Sequence, residues 1–278
     1  AVTSKGIVYA TSSSDGAKKG IFRANNDGKL VNINPSFLGT TYKRIVIGVD
    51  PNNENVVYFL LNTDGFGRKS ANYKGDIEWN GLYRYTYIKG DGSGDSGVWE
   101  DLSMNLPNGG VFDRWNVQGS YDMLVRVRPG NSQEVYIGGT NVYRSSTGFS
   151  DSTHTEKIGG YKLKAQFPDV GVWANHHPDQ HNLLFYPNDG SKLLSSNDGG
   201  VFRSVSLSAS PFAWESLNNG YLTTQFYTVA LDHGTPESPL LVGGAQDNNQ
   251  LMTVSMDPRA PWSTVYFGDG SYCAMEDG

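Results

Sequence analysis

The chain has 278 residues and a formal net charge of −6, and 12 % of its residues are Phe, Trp or Tyr. Binding to nucleic acid phosphates needs clustered Lys and Arg, which this sequence lacks, so we expect no nucleic acid partner. No apolar run approaches the roughly 18 residues of a membrane span, so we expect no transmembrane segment.

The predicted elements follow a repeat. Four short phrases recur along the chain, and their central aromatic residues lie about 60 residues apart each time. The phrases are Ile21-Phe22-Arg23-Ala24, Leu82-Tyr83-Arg84-Tyr85, Val142-Tyr143-Arg144-Ser145 and Val201-Phe202-Arg203-Ser204. A fixed period of this size is typical of repeat folds and lies at the long end of the range for propeller blades.

The predicted strands around each phrase follow the same order. An alternating apolar strand comes first, then a turn rich in Pro, Asn and Gly, a second strand, and the phrase itself as the third strand. A fourth strand carries Trp99 in one unit and Trp214 in another. Four antiparallel strands per unit, repeated radially, form the blade of a β-propeller. The sequence therefore predicts an all-β fold, a β-propeller of four-stranded antiparallel blades.

The extent of this propeller follows from the period. At about 60 residues per blade, the chain holds about four to five blades of a single propeller segment. The repeat starts inside one unit and stops where a further unit begins, and an unfinished blade would expose an unpaired strand edge. We therefore expect an incomplete propeller within a longer protein, completed by other domains or chains.

A series of motifs in the last third of the chain carries a family resemblance. In order they are His177-Pro178-Asp179-Gln180-His181, Ser196-Asn197-Asp198-Gly199-Gly200, Leu217-Asn218-Asn219-Gly220, Thr224-Gln225-Phe226-Tyr227, Gly243-Gly244-Ala245-Gln246-Asp247-Asn248 and Gly268-Asp269-Gly270. This order resembles the bacterial sortilin/VPS10-like propeller family with BNR (Asp-box) repeats. Many members are labelled glycosyl hydrolases, and many are secreted to the surface of Bacteroidota-type bacteria. The resemblance therefore implies an extracellular or cell-surface location.

Acidic residues of these motifs are predicted to share one face of the propeller. Loops that enter a first strand and loops that join the second and third strands open on the same face. Asp179 and Asp269 precede first strands, which line the central channel, so we expect both near its mouth. Asp198 lies between second and third strands, and Asp247 follows a second strand. The alternative is that such Asp residues, flanked by Gly and Asn, only stabilise turns.

A histidine-rich segment is a candidate metal site. His177, Asp179 and His181 are spaced at i, i+2 and i+4, which aligns their side chains on an extended strand. Imidazole and carboxylate groups at that spacing could bind a divalent metal. The alternative is a hydrogen-bonded cluster that satisfies polar groups at the channel mouth. His176 is expected to point to the other side.

Three tryptophans are predicted to lie in long loops on the same face, and they are candidate ligand-binding residues. Trp79, Trp115 and Trp173 have Asn, Asp and Gly around them, which suits stacking against sugar rings. The alternative is that each is a buried anchor for its loop.

These features favour two functions of different classes. The first is a non-catalytic module that binds a glycan or protein partner across this face. The second is a glycoside hydrolase acting on a β-linked polysaccharide, with Asp179 and Asp247 as its acid/base pair, because two carboxyl groups are the minimum for this chemistry. A propeller can host either function, so the predicted fold does not choose between them. The sequence favours the binding module, because no complete catalytic set stands out, and the hydrolase is the alternative.

Overall fold

A computed structural model describes residues 1–24, 27–168, 170–187, 189–220 and 224–276. The chain divides into two units, Ala1–Asn218 and Asn219–Gly278. The described residues are almost wholly strands and turns. Their helical segments are single 3₁₀ turns at Gly94–Ser96, Ser103–Asn105 and Gln118–Ser120. No helix among the described residues is long and apolar enough to cross a membrane.

The first unit begins with two antiparallel sheets. The first sheet contains β1 (Tyr9–Ser12), β2 (Gly20–Ala24) and β3 (Leu30–Asn32), in that order. The strands of the second sheet are β4 (Tyr42–Val49), β5 (Val56–Thr63), β6 (Arg68–Ala71), β7 (Ile77–Tyr87) and β8 (Gly97–Asp101). Here β4, β5, β7 and β8 pair in sequence, while β6 forms a hairpin with the first part of β7.

Two four-stranded sheets complete the first unit. The third sheet runs in the order β12-β11-β10-β9, with β9 at Leu124–Arg128, β10 at Asn131–Gly138, β11 at Val142–Ser145 and β12 at Thr155–Gly159. The fourth runs from β13 to β16, with β13 at Gln180–Tyr186, β14 at Asp189–Asn197, β15 at Gly200–Ser204 and β16 at Glu215–Ser216. Both are antiparallel throughout.

The second unit contains one further four-stranded antiparallel sheet. Its strands are β17 (Thr228–Leu231), β18 (Leu241–Gly244), β19 (Gln250–Thr253) and β20 (Ser263–Tyr266), paired in chain order. This up-and-down order is the same as in the third and fourth sheets.

The recurring phrases occupy the predicted position in three sheets. The phrases around Tyr83, Tyr143 and Phe202 lie on β7, β11 and β15, each the third strand from the start of its sheet. The first phrase, around Phe22, lies on β2, which is the middle strand of its three-stranded sheet. The fold prediction of four-stranded antiparallel propeller-type blades is confirmed, with two differences: the first sheet has three strands, and β6 adds a fifth strand to the second sheet.

Buried side chains fill the spaces between successive sheets of the first unit. One cluster joins the first and second sheets, for example Ile21 with Phe59. A second joins the second and third sheets through Leu60 and Ile137, and a third includes Leu183 of the fourth sheet. The sheets therefore stack face to face, as the blades of a propeller do.

The first strands of the second, third and fourth sheets are neighbours. β4 lies beside β9, and β9 lies beside β13. The approach of β4 to β9 is so close that a Cβ atom on Gly48 would lie 2.8 Å from the Val125 carbonyl oxygen. Glycine at position 48 therefore allows β4 and β9 to pack closely. The same packing brings together, at one end, the loops that enter these strands.

Candidate functional site

Carboxyl side chains gather where the chain enters β9 and β13. Asp122 and Met123 lead into β9, Asp179 directly precedes β13, and Asp198 occupies the turn between β14 and β15. The Asp198 N–H donates to the Asp179 carbonyl over 3.2 Å. The structure therefore places the predicted Asp179 and Asp198 together and adds Asp122, which the sequence analysis did not identify.

Asp122 is the most deeply buried member of this group, with 0 % of its surface exposed. Burial raises the pKa of its carboxyl group to about 9, and the charge of Asp179 adds to this effect. The group is therefore protonated at neutral pH. A sequence signal for it exists, because Asp122 leads into a first strand as Asp179 does, but no Gly-rich or His-rich motif surrounds it.

Asp179 lies against Asp122 but is only partly buried. Burial and the charge of Asp198 raise the pKa of Asp179, while a hydrogen bond from Asp122 opposes this rise. Two ionised carboxylates can only accept hydrogen bonds, and the buried Asp122 oxygens accept no hydrogen bond among the described residues. A proton retained on Asp122, beside the Asp179 carboxylate, resolves this conflict, and we call Asp122 and Asp179 the carboxyl pair.

The backbone around this pair adopts unusual conformations. Asp179 has a φ of 65°, and Gln118 and Ser120 in the preceding loop have φ of 47° and 96°. For residues other than glycine this conformation costs roughly 1–3 kcal/mol and persists only where neighbouring groups hold it. Such strain often accompanies functional sites.

Glu78 of β7 holds the turn at Gln118–Ser120. Its carboxylate accepts the Val117 N–H over 2.9 Å and also accepts the Gly119 N–H. This turn positions the Gln118 side chain, whose amide donates a hydrogen bond to the Asp179 carboxylate. A carboxylate from the second sheet therefore positions a donor onto the carboxyl pair.

Asp198 is bound by two side chains of its own. The Nε2 of His181 donates to its carboxylate, and the Tyr121 hydroxyl donates to the same oxygen over 3.3 Å. The rings of Tyr121 and His181 meet edge to face, 5.1 Å apart. Burial and the nearby Asp198 charge raise the pKa of Tyr121, so its hydroxyl remains a hydrogen-bond donor at neutral pH.

A buried polar chain fixes the segment that carries Asp179. His176 Nδ1 accepts the Gly160 N–H over 3.0 Å, and its Nε2 donates to Ser195 Oγ over 3.0 Å. Ser195 reaches Gln180, whose amide donates to the His177 carbonyl over 2.7 Å. Burial lowers the pKa of His176 to about 3, so its ring is neutral. As expected, His176 points away from the carboxyl groups and into the core.

The predicted alignment of His177, Asp179 and His181 is wrong. β13 begins only at Gln180, and the positive φ of Asp179 breaks the extended spacing on which the prediction rested. His177 Nδ1 turns to the Pro178 carbonyl, while His181 turns to Asp198. Among the described residues, no group of three or more His, Cys, Asp or Glu side chains is placed to hold a metal ion. The hydrogen-bonded alternative describes this segment instead.

The three predicted tryptophans differ in exposure. Trp115 is 0 % exposed and packs in the core between the second and third sheets, so it is a loop anchor and the prediction that it contacts a ligand is corrected. Trp173 is partly buried, and its indole N–H donates to the Phe212 carbonyl over 3.0 Å. Trp79 lies on β7 rather than in a loop, with the Lys69 ammonium 5.7 Å from its ring centre.

Asp247 and Asp269 lie in the second unit. The Asp247 N–H donates to the Asp269 carboxylate over 3.3 Å, and Asp247 has a φ of 58°. These two residues therefore meet each other. The expectation that Asp247 and Asp269 lie beside Asp179 stays a prediction.

A cavity of about 730 Å³ runs along β4, β9 and β13 in the first unit. Arg44, Arg126 and His181 are among the residues that line it. Because His181 lines the cavity and also donates a hydrogen bond to Asp198, the Asp198 carboxylate lies next to this cavity. A concave space with a few convergent polar groups is the usual form of a ligand site.

Comparisons with known proteins show the fold alone. No family model matches the chain, and no curated protein matches it. An ancestral GH74 enzyme has a similar structure, with a TM-score of 0.51 and 16 % identity over 94 % of this chain and 35 % of that one. The chain thus spans about a third of the length of this solved structure.

Two further solved structures have lower similarity. A GH74 enzyme from Niastella koreensis has a TM-score of 0.38 and 14 % identity, over 99 % of this chain and 43 % of that one. A putative 6-phosphogluconolactonase from Bacteroides fragilis has a TM-score of 0.32 and 11 % identity, over 96 % of this chain and 82 % of that one. Both scores are too low to carry an argument.

Proposed function

We propose that this chain is part of a propeller-type glycoside hydrolase. The observation that carries the proposal is the grouping of three carboxyl side chains, with Asp122 fully buried, Asp179 beside it, and Asp198 joined to Asp179 by a backbone hydrogen bond. A carboxyl group that remains protonated at neutral pH is what a general acid requires, and a second carboxyl group is what a general base or nucleophile requires.

The roles of these residues follow from their exposure and partners. Asp179 is the member of the pair that is partly exposed, so it takes the proton held by Asp122 and passes it to the oxygen of the leaving sugar. Asp122 is fully buried and replenishes that proton without touching the substrate. Asp198, held by His181 and Tyr121, activates the attacking water. Asp122 is therefore a positioning residue, while Asp179 and Asp198 are catalytic residues.

The binding-module alternative has less support than the hydrolase. The sequence favoured binding because no complete catalytic set stood out, and the carboxyl groups of Asp122, Asp179 and Asp198 supply candidates for one. Of the tryptophans expected to contact a ligand, Trp115 is buried and Trp173 is partly buried. The binding module would take a glycan or a protein partner, and it becomes the better proposal if substitution of these carboxyl groups changes no reaction.

The setting of the enzyme is also part of the proposal. The order of motifs supports a relative of the sortilin/VPS10-like BNR propeller proteins, located outside the cell or on its surface. The chain spans 35 % of the matched ancestral GH74 enzyme, which supports further domains or chains in the whole protein.

Reducing-end release from a panel of β-linked polysaccharides tests the function. We expect Asp179→Asn to lower kcat by about 10²-fold or more with the fold intact, because general acid catalysis contributes about 10²–10⁴-fold. Asp198→Asn should lower it similarly, and Asp122→Asn should chiefly move the alkaline limb of the pH profile. Asp247→Asn in the same assay tests the predicted pairing of Asp247 with Asp179.

Asp189→Asn is the matched control, because Asp189 lies at the other end of the β13–β14 pair and is bonded to Ser191 and Lys192. It should retain full activity. Full activity in Asp179→Asn would refute the proposed acid. Glycan binding without cleavage by the native protein would restore the binding-module function.

A further inference from the structure

Three loops of the first unit bring aromatic rings together away from the carboxyl groups. Tyr73 lies in the turn between β6 and β7, Phe112 in the loop before β9, and Phe167 in the loop between β12 and β13. Tyr73 stacks on Phe112 with ring centres 5.7 Å apart and an interplanar angle of 16°. Phe167 meets both rings, at 5.8 Å from Tyr73 and 5.5 Å from Phe112. We call these three residues the aromatic shelf.

The shelf has a buried base and an exposed surface. Phe112 is 6 % exposed, whereas Tyr73 is 47 % exposed and Phe167 is 64 % exposed. The base is also held from behind, because the Phe112 carbonyl accepts from Asn141 over 2.7 Å and from the Lys157 ammonium over 3.3 Å. Two large rings are therefore presented to solvent on a support that is already ordered, which lowers the entropy cost of binding.

The charge at the edge of the shelf is positive. The Lys74 ammonium lies 5.5 Å from the Tyr73 ring centre, and among the described residues it forms no ion pair. Asp76, in the same turn, is bonded by Asn72 over 2.9 Å. Asp113, which follows Phe112, is paired with Lys157 over 2.7 Å. Among the residues that the structure describes, Asp113 is thus neutralised by Lys157, and the exposed Lys74 ammonium has no carboxylate partner, so it is available to pair with an anion.

We propose that the aromatic shelf binds a uronic acid unit of a glycan. The apolar face of the sugar ring packs on Tyr73 and Phe167, and the uronate carboxylate pairs with Lys74. Flat rings match the flat face of a pyranose, and a cation at the ring edge selects an acidic sugar over a neutral one. This inference rests on the proposed function for the ligand class, a glycan, and adds that the glycan is acidic.

Binding of an oligogalacturonide, compared with a cello-oligosaccharide of equal length, tests this inference. The Asp179→Asn variant of the full chain is used as the background, so that the probe is not cleaved. We expect Tyr73→Ala and Phe167→Ala each to weaken binding of the oligogalacturonide about three- to tenfold. Lys74→Gln should weaken it by a similar factor and reduce its dependence on salt, since one charge pair is lost.

Matched controls are Tyr272→Ala, which removes a ring of the second unit that is 82 % exposed, and Lys89→Gln, which removes an exposed lysine. Both should bind like the background. Equal affinity for the neutral oligosaccharide, or unchanged binding in the three shelf variants, would overturn the inference. So would a concentration-dependent dimer that Phe167→Ala abolishes, because the shelf would then be covered by a second copy.

The two proposals can fail separately. Loss of uronate binding in the shelf variants with no cleavage of any polysaccharide by the native chain would support the shelf and refute the hydrolase. Cleavage that depends on Asp179, together with unaltered binding in the shelf variants, would support the hydrolase and refute the shelf.

Discussion

Asp122 lies beside another carboxyl group, that of Asp179, and has no surface exposed to water. An isolated carboxylate in such a place is costly, so the group keeps its proton and donates it to Asp179. Gln118, Tyr121 and His181 then satisfy the more exposed carboxylates, Asp179 and Asp198. The chemistry of the site is therefore set by a difference in burial between residues of the same type.

This difference predicts a pH dependence of stability. In the unfolded chain Asp122 ionises near a pKa of about 4, whereas in the folded protein its pKa is about 9. Between these values the folded protein holds a proton that the unfolded chain has released, so the free energy of unfolding falls as pH rises. The raised pKa of Asp179 acts in the same direction.

Urea unfolding at about pH 5 and about pH 8 measures this effect. We expect Asp122→Asn to gain stability relative to the native protein at the higher pH, on the order of a few kcal/mol, and little at the lower pH. Asp189→Asn should keep the native slope, because its pKa is lowered to about 2 and it is ionised throughout this range. An unchanged slope in Asp122→Asn would show that Asp122 is ionised in the folded state.

At the scale of elements, the loop between β8 and β9 is tied down at two points. Trp115 fills the core between the second and third sheets together with Leu106 and Val117. Glu78 binds the backbone two and four residues further on, which fixes the turn that carries Gln118. The loop that reaches the carboxyl pair is therefore anchored both in the core and to β7.

We expect Trp115→Ala to destabilise the protein by about 3–5 kcal/mol, because it leaves a large cavity in a packed interface. Faster amide hydrogen exchange in the loop from residue 116 to residue 121 should accompany the loss. The control is Trp79→Ala, which removes a partly exposed ring of the same type and should cost less. Normal stability with reduced glycan binding in Trp115→Ala would instead restore the ligand-binding role first predicted for this residue.

At the scale of the whole molecule, stability resides between the sheets rather than within them. The buried clusters each draw residues from neighbouring sheets of the first unit, and the second unit has its own sheet. Strands such as β5 are buried along almost their whole length and therefore need neighbours on both faces. This is the general property of repeat folds whose units cannot bury their surfaces alone.

A pair of substitutions tests where this stability lies. Ile137→Ala, at a side chain 0 % exposed on β10, should cost about 2–5 kcal/mol. Leu184→Ala, at a side chain 56 % exposed on β13, should change stability by about 0.5 kcal/mol or less. Chemical denaturation compares them, and equal costs would argue against face-to-face stacking as the main source of stability.

The sequence by itself determined the strands and their order. The alternation of apolar residues, the turn residues and the repeated phrase around Tyr83, Tyr143 and Phe202 are local features, and they predicted three third strands correctly. The grouping of Asp179 with Asp198 followed from the same topology. The first phrase lies on β2, the middle strand of a three-stranded sheet, which the repeat did not predict.

Only the tertiary structure decided which side chains meet and how deeply they lie. Asp122 and Asp179 are far apart in the sequence and meet because β9 and β13 are neighbours, so the raised pKa of Asp122 could not be predicted from its motif. The left-handed backbone of Asp179 separates His177 from His181, which a uniform strand would have aligned. Trp115 faces the core because of how the second and third sheets pack. Contacts between repeats depend on packing across many residues, whereas the repeat itself depends on neighbours in the chain.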